Sequence, residues 1–114
     1  MAARSLDEED VKNIDEFLQK LAESYSDENV ELVRRAYTFS EKAHEGQIRR
    51  SGEPYISHPL GVAHILYQLN LDVASIITGL LHDTVEDTEV TIEDVTREFG
   101  ESVAHLVDGV TKIS

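Results

Sequence analysis

The sequence contains no cysteine, which excludes a disulfide framework, a thiolate zinc site and a cysteine nucleophile. Two prolines and six glycines are too few for a low-complexity or disordered chain. No run approaches the roughly 18 apolar residues of a membrane span. The opening Met1-Ala-Ala-Arg-Ser-Leu6 turns acidic at Asp7, without a signal-type apolar stretch. Basic charge is scarce as well: 10 Lys and Arg stand against 23 Asp and Glu, net −13. That sign disfavours nucleic acid, whose binding is driven by phosphate neutralisation and counterion release. What remains is a chain of 114 residues, 40% apolar, which fits one domain of ordinary size. It reads as cytoplasmic, with neither a membrane nor a nucleic-acid partner.

The charge is segregated. Residues 1–31 carry 3 basic and 10 acidic groups, residues 32–65 carry 5 and 3, and residues 66–114 carry 2 and 10. A small anion could use the basic island of Arg34, Arg35, Lys42, Arg49 and Arg50. The acidic last third is suited to solvation or to holding cations.

Apolar spacing is helical almost throughout. Leu6, Val11, Ile14, Phe17, Leu18 and Leu21 form one stripe, with a Ser5–Glu8 capping box at its start. A second helix should begin near Ser26-Asp27 and stop at Gly46. After an aperiodic loop, Ser57-His58-Pro59 starts a third helix, since proline suits a first turn; Asn70 ends it. Asp72 caps a fourth helix, Val73 to His82, apolar on nearly every face and therefore central. An acidic segment follows. Thr91 with Asp94 starts a fifth helix that stops at Gly100, and Glu101 to Lys112 forms a sixth. No alternating run or hairpin signal competes, so the fold class is all-α, a bundle of about six helices. Residues 1–25 are expected to supply a packing helix ahead of the main unit, 26–114.

The informative cluster is His82-Asp83-Thr-Val-Glu86-Asp87. His82 and Glu86 are four apart, as are Asp83 and Asp87, so continued helical geometry would place each pair on one face. Carboxylates at the end of an apolar helix are costly without compensation, which a metal ion or a cationic partner provides. The plainer alternative is a helix end followed by a solvated acidic turn. His58, at another helix start, is a candidate partner. Two imidazoles and a carboxylate suit manganese, iron or zinc better than calcium. His44, His64 and His105 lack acidic dipeptide context and read as structural.

The stretch Ala43-His-Glu-Gly-Gln-Ile-Arg-Arg-Ser-Gly-Glu-Pro-Tyr-Ile-Ser-His-Pro59 resembles the opening signature of the Rel/SpoT family. Gly79-Leu-Leu-His-Asp-Thr-Val-Glu-Asp-Thr88, Phe99-Gly100 and Val107-Asp-Gly-Val-Thr-Lys-Ile113 are similar to that family's following blocks, in the same order. The likeness runs from about Val30 to the last residue. It implies an HD-type helical domain that removes the 3′-pyrophosphate of guanosine tetra- or pentaphosphate (ppGpp or pppGpp), giving GDP or GTP, with manganese. The parent would be a bifunctional GTP pyrophosphokinase/hydrolase of the stringent response. By that resemblance His58, His82 and Asp83 are metal ligands, Glu86 and Asp87 the catalytic acidic pair, and Arg49, Arg50 and Ser51 the nucleotide loop. Pro54 and Tyr55 would shape the loop.

The family's further metal-ligand aspartate, in an Asp-Arg-Leu-His-Asn type of segment, is not found here, and Asp108 does not occupy that place. The expectation is therefore a domain truncated relative to the family's, which holds metal weakly and could associate as a homodimer through exposed core surface. Two other readings stand beside this one: an HD phosphohydrolase for another nucleotide, and a non-catalytic regulatory or dimerisation module.

Overall fold

The structure, a computed structural model, describes residues 13–47, 52 and 57–113. Among them are seven helices and no strand: α1 (Ile14–Ala22), α2 (Asp27–Ala43), α3 (Ser57–Gln68), α4 (Val73–Leu81), α5 (Thr84–Asp87), α6 (Ile92–Phe99) and α7 (Glu101–Ile113). The all-α class expected from periodicity is what the chain adopts. The helix beyond the expected six is α5, a single turn inside the segment that reads as an acidic break.

Local chemistry sets the helix ends. Ser26 accepts from the N–H of Asn29 at 3.2 Å and starts α2, and Asp72 accepts from that of Ser75 at 2.9 Å and starts α4. Such caps satisfy donors that have no partner within the helix. Thr91 and Asp94 form a reciprocal capping box at α6, with bonds of 3.1 and 3.0 Å. The Ser5–Glu8 box lies outside the described residues. Among the described residues the first helix begins after Asn13, which is extended (φ −156°, ψ 167°) and caps α1 by accepting from the N–H of Glu16 at 2.8 Å.

α3 ends in a Schellman arrangement. Asn70 has φ 59°, the N–H of Leu71 donates to the carbonyl of Leu66 at 3.2 Å, and that of Asn70 to Tyr67 at 3.0 Å. This 6→1 and 5→2 pair closes the helix C-terminus and turns the chain directly into α4.

α4 is the centre, packed against α2, α3 and α7. Ile76 to Leu81 are all buried. Around them lie Val33 and Ala36 of α2, Leu60 and Ala63 of α3, Val95 of α6 and Val107 of α7. α1 adds Phe17 and Leu21, both fully buried, and rests on α2 and α3. A Cβ at Gly79 would fall 2.7 Å from Leu66 Cδ1, so glycine lets α4 approach α3 closely. The resulting α3–α4 hairpin sets the start of α3 beside the end of α4.

Candidate metal centre

His58 stands in the first turn of α3, while His82 and Asp83 occupy the two residues between α4 and α5. One ligand atom from each lies within 4.8 Å of those of the other two. The imidazoles of His58 and His82 have centroids 5.3 Å apart and planes at 66°, so they converge rather than stack. His82 Nε2 is 3.0 Å from Asp83 Oδ2, and both side chains are about one-fifth exposed.

The other nitrogen of His82 fixes the ring. Nδ1 lies 2.7 Å from the carbonyl oxygen of Gly79; a carbonyl only accepts, so Nδ1 carries the hydrogen. Nε2 is left to face a carboxylate, and a proton or a cation must mediate between them. A histidine whose far nitrogen donates to a backbone carbonyl is the usual oriented metal ligand. The donor set, two imidazoles and a carboxylate, fits a divalent transition ion.

Helical geometry does not run unbroken through the cluster. Asp83, at φ −102° and ψ −3°, sits in the sparsely populated bridge region. The continuous helix anticipated to run through both four-residue pairs therefore has an interruption at His82 and Asp83, between α4 and α5. One turn survives across it, because the N–H of Asp87 donates to the carbonyl of Asp83 at 2.9 Å. Glu86 and Asp87 are exposed on α5 and are outside the three-residue ligand cluster.

Arg49, Arg50 and Ser51, like Pro54 and Tyr55, lie outside the described residues. Gln47, which immediately precedes that segment, donates through Nε2 to the carbonyl of Asp87 at 3.3 Å, so this end of the loop is tied to the exit of α5. Two arginines of the basic island serve the fold instead. Arg34 pairs with Glu31 at 3.2 Å. Arg35 reaches from α2 to Glu98 and over the ring of Phe99.

The remaining histidines are as expected in two cases. His64 is fully buried, in an edge contact with Phe17, and His44 is buried with Nδ1 2.9 Å from the carbonyl of Ser40. His105, although flanked in sequence by Ala104 and Leu106, is exposed, because it falls on the outer face of α7. Sequence reasoning missed Gly79, Gln47 and Thr84. Only the glycine carries a visible signal, a small residue within an apolar helix one turn before a candidate ligand.

The chain matches the HD-domain family over residues 36–114. It is 56% identical over 94 residues to a GTP pyrophosphokinase of Myxococcus xanthus, a match covering 82% of this chain and 12% of that protein. It is 50% identical over 101 residues to a guanosine-3′,5′-bis(diphosphate) 3′-pyrophosphohydrolase of Aquifex aeolicus, covering 89% and 14%. It is 48% identical over 99 residues to the bifunctional (p)ppGpp synthase/hydrolase SpoT of Escherichia coli K12, covering 86% and 14%. The chain thus spans about one-eighth to one-seventh of the length of these relatives. The HD match over more than half of the chain assigns it to the HD-domain family.

Proposed function

We propose that this chain provides the metal-holding helical part of a ppGpp/pppGpp 3′-pyrophosphohydrolase. The observation that carries the reading is the convergence of His58, His82 and Asp83 beside the acidic turn Glu86–Asp87. The names of its relatives supply the substrate class.

On this reading the ion is Mn2+, held by His58, His82 and Asp83. When bound, a divalent ion makes hydroxide accessible near neutral pH and polarises a phosphoryl oxygen. Glu86 takes the proton of the attacking water, Asp87 orients that water, and the carbonyl of Gly79 keeps His82 in the ligating tautomer. Arg49, Arg50 and Ser51 hold the nucleotide, and a planar guanidinium can clamp phosphate or stack on guanine where lysine offers only a point charge. Water oxygen bonds to the phosphorus attached at the ribose 3′ oxygen, the bond to that oxygen breaks, and the 3′ oxygen takes up a proton, giving GDP or GTP and free pyrophosphate.

The test is incubation of the purified chain with Mn2+ and ppGpp, with products separated by anion exchange. Slow, EDTA-sensitive release of GDP and pyrophosphate in equal amounts is expected. Orthophosphate as the product, or equal turnover of unrelated nucleotides, would favour an HD phosphohydrolase of other specificity. No turnover and no Mn2+ binding would overturn the reading.

A further inference from the structure

Adjacent residues on an α-helix point about 100° apart, yet His82 and Asp83 aim their ligating atoms at one point, 3.0 Å from each other. The helical ladder is interrupted at this step: α4 ends at Leu81 and α5 begins at Thr84, with His82 still at helical angles (φ −57°, ψ −31°) and Asp83 opened to φ −102°, ψ −3°. Thr84 is fully buried and holds this break from both sides. Its hydroxyl donates to the carbonyl of Leu81 at 2.8 Å, an acceptor that belongs to the N–H of Val85 in an uninterrupted helix. Its own carbonyl accepts from the N–H of Thr88 at 3.1 Å and from the Thr88 hydroxyl, which closes α5.

We propose that Thr84 is a positioning residue: its hydroxyl keeps the His82–Asp83 step out of helical register, so that both ligands face His58. The inference rests on the metal-centre reading and assigns a role to a side chain that touches no ion. A buried threonine with a bonded hydroxyl would otherwise be read as ordinary core satisfaction. The difference here is that the hydroxyl spans the two candidate ligands in sequence.

The test compares the 114-residue wild type with Thr84→Val, which keeps the shape and loses the donor, and Thr84→Ser, which keeps the donor. Mn2+ affinity is measured by EPR titration, and the His82 ring is followed by 15N NMR in metal-free protein. Thr84→Val should bind Mn2+ roughly 10- to 100-fold more weakly, the range for lost outer-shell support, with helicity unchanged by circular dichroism. Its His82 signals should shift away from the Nδ1–H tautomer. Thr84→Ser should stay within about threefold of wild type. If Thr84→Val does not fold, Thr84→Ala carries the same comparison. Wild-type affinity and His82 signals in a folded Thr84→Val protein overturn the proposal, as does equal loss in Thr84→Ser. A wild type that binds no Mn2+ overturns the metal-centre reading, and the His82 signals then decide the role of Thr84 alone.

Discussion

Gly79 meets His82 and Leu66 at once. Its carbonyl accepts from His82 Nδ1 at 2.7 Å, and its Cα lies so near α3 that a Cβ would come within 2.7 Å of Leu66 Cδ1. One residue thus sets the ring of a candidate ligand and the spacing of the two helices that bring His58 and His82 together.

Gly79→Ala and Gly79→Val should therefore diverge. Alanine gains about 1 kcal/mol of helix propensity and crowds the movable end of Leu66, with Val62 and Ala63 at ordinary contact distance, so its stability should stay near wild type. Valine adds branches toward Val62 and the Ala63 backbone and should cost about 1–3 kcal/mol as overpacking. Urea unfolding measures both. Mn2+ affinity should fall in the valine variant, because α3 and His58 are pushed from α4.

His58→Ala and Asp83→Asn should each weaken Mn2+ binding by about 100-fold or more, beyond the 10–100-fold typical of outer-shell changes. Both residues are partly exposed, so stability in EDTA should change by about 1 kcal/mol or less. Calorimetric titration and thermal melts separate the two effects.

Gln47→Ala should remove the bond that ties Gln47 to the exit of α5. Removing one hydrogen bond worth about 1 kcal/mol should weaken ppGpp binding about fivefold while leaving Mn2+ affinity unchanged. Parallel titrations with ppGpp and Mn2+ check this.

Bonds from Ser75, first from its hydroxyl and then from its backbone N–H, hold the Asp72 carboxyl below the usual carboxylate range. A folded-state pKa lowered in this way contributes stability that is complete above the ordinary carboxylate range. That contribution is lost as pH falls through the lowered value. Asp72→Ala should cost about 1 kcal/mol near neutral pH, as for other lost caps, and the gap to wild type should narrow in acid. Asp72→Asn keeps an uncharged cap and should show the smaller loss on acidification. Melting temperatures across the acid range provide the check.

The helical class and most helix starts are legible because they are local: Ser26, Asp72 and the Thr91–Asp94 pair act over three residues. α1 starts where it does because the Asn13 side chain accepts a bond from the N–H of Glu16, which apolar spacing does not register. The candidate ligands are visible in sequence through the His-Asp dipeptide and the family blocks, but their mutual geometry is not. Four-residue spacing suggests a continuous helix, whereas the ligands converge through the break that buried Thr84 spans. His105 shows the same limit. Apolar neighbours in sequence do not bury a residue that faces outward on α7.

The Schellman turn at Asn70 has a consequence for thermal stability. It folds α3 back along α4, so His58 and His82, 24 positions apart in sequence, meet across the open end of a local hairpin. An ion shared between them would bridge that loop in the folded state, stabilising it through binding rather than by constraining the denatured chain as a disulfide does. Because only the folded hairpin presents the ligands together, the melting temperature becomes a function of free metal concentration. The centre is then a staple for the fold as well as a place for chemistry.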